Sequence, residues 1–114
     1  MGIFDVFKRN EDFSNVTEDN IEGFLASGKL VTIYLVSPRF GGSEGMDNQI
    51  VVTKKAAIEK DKIDDELAGF LMDGKSVQKF NVDLEYKGKS IVPTKIKVSA
   101  VVTGDAYSRV VEIW

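Results

Sequence analysis

The chain has no cysteine and no histidine among its 114 residues, and only two prolines and one tryptophan. Without cysteine there is no disulfide framework, no thiol nucleophile and no thiolate metal site, a composition that fits a reducing, cytoplasmic setting. Without histidine, the one side chain that titrates near neutrality unaided is missing. Ser-His-Asp and Cys-His catalysis, and ordinary zinc, copper or non-haem iron sites, therefore lose their usual parts. A basic excess is lacking too: 15 Lys and Arg stand against 18 Asp and Glu, a formal charge of -3. Nucleic acid is not an expected partner, because phosphate contacts need clustered cations. No apolar run approaches the roughly 20 residues of a spanning helix, so no stable membrane insertion is expected.

What is present is 43% hydrophobic and 29% charged residues, the balance of a globular chain that can bury one core. The expectation is a single domain over 1–114, in which residues 1–15 form an apolar turn followed by a polar connector. That opening, "MGIFDVFKRN", groups Ile3, Phe4, Val6 and Phe7 ahead of Lys8 and Arg9. A secretory signal puts its charge before the apolar stretch, and myristoylation wants Ser or Thr where Val6 stands, so neither pattern fits. Two readings stay open: a flap over the protein's own core, or a hook for a partner or membrane surface in which Phe4 and Phe7 are the contact residues. Residues 9–15, "RNEDFSN", read as the polar connector.

A first helix is expected over about 18–27, with Thr17 as its cap, Val16 and Ile21 as a hydrophobic staple and Gly28 as its stop. The stretch "KLVTIYLVS" is β-branched and apolar on both faces, which suits an interior strand ended by Pro38. "PRFGGSEGMDN" then holds three glycines in five residues. It lacks the Gly-Lys-Ser or Gly-Lys-Thr ending of a phosphate cradle and leads into the strand-like "QIVVT", so it reads as a hairpin connection or as a contact surface anchored by Arg39, Phe40 and Met46. A second helix follows over roughly 54–73, capped by Thr53 and stopped by Gly74, with Ile63, Leu67, Phe70 and Leu71 on one buried face and Ile58 off it. Its acidic cluster, Asp61, Asp64, Asp65 and Glu66, lacks the alternating ligands and central glycine of a calcium loop and reads as a solvated helix face.

In the last third, Phe80, Val82, Leu84 and Tyr86 alternate with Asn81, Asp83 and Glu85, and Ile96, Val98, Ala100 and Val102 alternate with Lys95, Lys97 and Ser99. Both are strands with one wet face, joined by a turn through "YKGKS" and followed through "TGDAY" by a final strand "SRVVEIW". Asp83 and Glu85 then oppose Lys95 and Lys97 across a hairpin, as register pairs rather than a catalytic pair of carboxylates. Lys79 and Tyr107 are the remaining candidates for a base, and nothing in the sequence selects either. The order of elements gives an α+β fold: a mostly antiparallel sheet of about five strands with two helices packed chiefly on one face.

The residues from about 34 to 114, through "FGGSEGMDNQIVV", a charged helix ending in "DG", "EYKGKSIVPTKI" and the terminal "VVEIW", resemble small bacterial proteins of no named family. The resemblance implies only that the loop and the final strands travel together as one unit. With catalysis short of parts, the expectation is a non-enzymatic module that binds another protein, without cofactor or metal. An immunity or antitoxin-type inhibitor, whose acidic surface covers a basic toxin, is one concrete form. The alternatives are a self-associating structural domain, for instance a homodimer through an exposed edge strand, and a small-ligand-binding domain with a pocket between sheet and helix.

Overall fold

The structure, a computed structural model, describes residues 12–114. It is α+β: helix α1 (Ile21–Ser27), strands β1 (Val31–Tyr34) and β2 (Gln49–Val52), helix α2 (Lys54–Met72), and strands β3 (Val77–Glu85), β4 (Lys95–Val102) and β5 (Asp105–Glu112). The strands do not form the one sheet of five expected from the sequence. β1 pairs antiparallel with β2, and β3, β4 and β5 form a separate antiparallel meander. β1 is accordingly not an interior strand: it spans four residues, bonds one strand, and turns its other edge toward α2.

α2 begins as the sequence requires. The Thr53 hydroxyl accepts from the Ala56 N–H at 3.1 Å, and Gly74 beyond its end adopts φ 84°. Ile63 and Leu67 are buried and Phe70 is partly so, but Leu71, expected on the same face, is exposed because it lies in the last turn beside an open cleft. α1 starts three residues later than expected. Thr17 and Asn20 spend their side chains on the preceding turn, with the Asn20 Oδ1 accepting from the Thr17 N–H at 2.8 Å and the Thr17 hydroxyl from the Asp19 N–H at 3.3 Å. Gly28, at φ 79°, ends it.

The meander has one buried and one wet face. Ile96, Val98, Ala100 and Val102 alternate inward along β4, while Lys97 and Ser99 face water with Ala106, Ser108 and Val110 of β5. Asp83 lies opposite Lys97 and Glu85 opposite Lys95, and the Lys97 ammonium also bridges to Glu85. The β4–β5 hairpin turns through Thr103 and Gly104, both with positive φ, as a two-residue turn of the primed type demands. "YKGKS" does turn through Gly88, at φ 62°, with the Ser90 N–H donating to the Lys87 carbonyl at 3.4 Å, but it does not link β3 directly to β4. Residues 86–94 dip into the core, where Ser90, Val92 and Pro93 are buried and the Trp114 indole donates to the Val92 carbonyl at 3.0 Å.

The expected polar connector is corrected at its far end. Phe13 is only 2% exposed and packs edge-on against Phe24 at 6.0 Å, while its carbonyl accepts from the Ser90 hydroxyl at 2.7 Å. Val16 is buried beside it, and the Ile91 N–H donates to the Val16 carbonyl at 3.1 Å. One apolar residue in a polar heptapeptide gives no periodicity to read, so only the fold reveals it as an anchor. Phe4 and Phe7, and with them the two readings of the opening segment, lie outside the described residues.

Candidate functional site

The hairpin connection between β1 and β2 is built around Asn48. Its side chain acts as an extra strand residue: Oδ1 accepts from the Val36 N–H at 3.0 Å, and Nδ2 donates to the Val36 carbonyl at 2.7 Å and to the Ser43 carbonyl at 2.7 Å. Gly42 is required by the same closure, since a Cβ there would sit 1.9 Å from the Val36 carbonyl oxygen. Between these points a single 3-10 turn, Pro38–Phe40, is capped by the Ser37 hydroxyl, which accepts from the Arg39 N–H at 3.3 Å, and released by Gly41 at φ 87°. The clamped loop thereby aims Arg39 and Phe40 at α2 and β3.

Phe40 meets Phe80 of β3 with ring centroids 6.1 Å apart, and Arg39 lies 5.6 Å from the Phe40 centroid while donating to Asp65 at 2.8 Å, with Asp61 at 4.0 Å. A cleft of about 210 Å³ opens here, lined by Arg39, Phe40, Leu67, Leu71, Val77 and Phe80. Strand β3 supplies two of those walls through an irregularity. The register with β4 shifts between Gln78 and Asn81, where Lys79 holds φ 53°, and the extra residue turns Val77 and Phe80, three apart, to the same face. Of the contact candidates read from the sequence, Arg39 and Phe40 come together in this cleft. Met46, 86% exposed in its own 3-10 turn (Met46–Asn48), stands apart from it.

The acidic cluster is the exposed helix face expected at Asp61, Asp65 and Glu66, with Asp65 holding Arg39 and Glu66 reaching the sheet; Asp64 departs from it and is buried. Lys60 is 2% exposed, and its ammonium donates to both Asp64 oxygens at 3.0 and 2.9 Å and to the Tyr34 carbonyl at 3.4 Å. Burial outweighs that neighbour and pushes the Asp64 carboxyl above its ordinary range. On the other side of α2, Glu66 accepts from the Tyr107 hydroxyl at 2.6 Å and pairs with Arg109 at 3.2 Å. The tyrosine bond holds Glu66 below the usual carboxylate range, while burial, with the Glu66 bond second, pushes the Tyr107 hydroxyl far above its own. The Tyr107 hydroxyl thus keeps its proton, directed at Glu66. Lys79 is exposed in the bulge.

Among the described residues no helix is long and apolar enough to cross a membrane, and no group of three or more acidic side chains is placed to hold a metal ion. The architecture defines a small α+β class: a two-stranded hairpin and a three-stranded meander joined through one long helix. No protein-family model and no curated protein matches the chain in sequence.

Proposed function

We propose that the chain is a non-enzymatic protein-binding module of the bacterial cytoplasm, and that its partner engages the cleft between the Pro38–Phe40 turn, α2 and β3. The observation that carries this reading is the cleft's chemistry: five apolar walls at about 210 Å³, one of them the exposed Leu71, with exposed Met72 next to it in the last turn of α2. Sites for small organic ligands run to about 300–1,000 Å³, so this space suits one inserted side chain better than a bound metabolite. At its rim Arg39 offsets one of Asp61 and Asp65 and leaves the other in excess. The matching partner is a protein segment that presents an apolar side chain beside a lysine or arginine. An immunity or antitoxin-type inhibitor covering a basic toxin surface has that chemistry, and the formal charge of -3 favours such an encounter. Met46 is a further contact candidate outside the cleft, and Phe4 and Phe7 are contact candidates beyond the described residues.

The experiment is capture from a native bacterial lysate by the native chain and by Leu71→Glu, with the melting temperature of both measured alongside. A stoichiometric partner whose affinity falls at least about tenfold with Leu71→Glu, at unchanged melting temperature, supports the reading. A partner held equally by both chains, or none, overturns the assignment of the cleft.

A further inference from the structure

The free edge of β5 is guarded. The Ile113 N–H donates to the Thr94 carbonyl at 2.8 Å, which sets the parity of the β4–β5 ladder: Val98 with Arg109 and Ala100 with Tyr107 are hydrogen-bonded pairs, and Ser99 with Ser108 is not. Ser108 therefore points its N–H and C=O away from β4, to an edge that no described strand occupies. That carbonyl is covered. Arg109 Nη1 donates to it at 2.9 Å, while Nη2 pairs with Glu66 and the guanidinium lies 4.4 Å from the Tyr107 ring centroid.

The geometry points to Arg109 as an edge guard that prevents β5 from pairing with β5 of a second copy of this chain. The rest of the edge is open to such pairing: β5 carries no proline and keeps register with β4 over all eight residues. A two-fold antiparallel register with Ser108 opposite Ser108 of the second copy would set Ala106 opposite Val110 and Tyr107 opposite position 109. Asp105 and Glu112 would then face Val111 and Gly104, so no like charges oppose one another. The other edge of the meander is already blunted by the Lys79 bulge, so pairing at β5 closes at two copies and does not propagate. This inference goes beyond the proposed binding cleft, which lies at β3.

Arg109→Met keeps the stem over Tyr107 and removes every donor; Arg109→Thr removes the stem as well and keeps a strand-forming residue. Each is measured by sedimentation over a wide concentration range beside the native chain of 12.6 kDa. The expected result is a doubled mass for both variants, with a dimer dissociation constant at least about tenfold below that of the native chain. Adding Val110→Pro restores the monomer, because the Val110 N–H points outward and its loss spares the β4 ladder. Variants that stay monomeric, variant dimers that survive Val110→Pro, or a native chain already dimeric through this edge would each overturn the guard.

Discussion

Asn48 does with one side chain what a paired strand residue does with its backbone, accepting from Val36 and donating to Val36 and Ser43. Among the described residues these three main-chain groups have no other hydrogen-bond partner, so removing the largely buried amide leaves them to be solvated or left unpaired. Asn48→Ala is expected to lower unfolding free energy by about 2 kcal/mol in urea titrations. A loss below about 0.5 kcal/mol would mean that water replaces the amide without cost. The sequence placed Asn48 in a glycine-rich connection and gave no sign of this role, because an asparagine in a loop reads the same whether it clamps the loop or faces solvent. Gly42 was equally silent; its requirement comes from one carbonyl that approaches from six residues earlier.

At the scale of elements, α2 is the part on which both sheets depend. Its apolar face, Ile63 and Leu67, meets the meander, and Lys60 reaches the Tyr34 carbonyl on the outer edge of β1. The Lys60–Asp64 pair is almost fully out of water, so breaking it costs more than keeping it gains. Lys60→Ala is expected to destabilise the protein by about 3 kcal/mol, whereas Lys60→Met combined with Asp64→Leu recovers most of that loss, as equilibrium unfolding of the three chains would reveal. If the double variant is as weak as the single one, the ion pair itself supplies the stability. The helix was legible in the sequence from Thr53 to Gly74, because caps and a 3.6-residue stripe are local signals. Which of its charges would be buried was not, since Lys60 and Asp64 sit four apart in a segment that looks solvated throughout.

For the molecule as a whole, the contact of Glu66 with Tyr107 ties α2 to the meander and makes stability depend on pH at both ends. Glu66 is held below its ordinary value of 4.5, so its contribution is present above that pH and lost as acid protonates the folded form. Tyr107 is held above its ordinary value of 10.0, so its contribution is present below that pH and fades as alkali ionises the unfolded chain. Asp64, raised from 3.8, has the opposite sign to Glu66: its contribution is present in acid and lost as pH rises through its folded value. Tyr107→Phe isolates the first two. The native chain should exceed it by about 1 kcal/mol between the two limits, with the difference shrinking below about 4.5 and above about 10 in urea unfolding run across pH. A difference that stays constant across that range would assign the effect to packing alone.

The amino-acid sequence by itself determined the local forms: the cap and stop of α2, the glycine that ends α1, the alternation of β3 and β4 and the charge pairs between them, and the turn before β5. Each rests on residues within a few positions of one another, or on a period that one element repeats. Only the tertiary structure decided that the strands divide into two sheets, that Phe13 is an anchor and Lys60 a buried cation, and that Arg39 and Phe40 join Leu71 and Phe80 around one cleft. Periodicity shows that a face must be covered. It does not name the distant residues that cover it, and those contacts are fixed by how the helix, the hairpin and the meander compete for the same apolar surface.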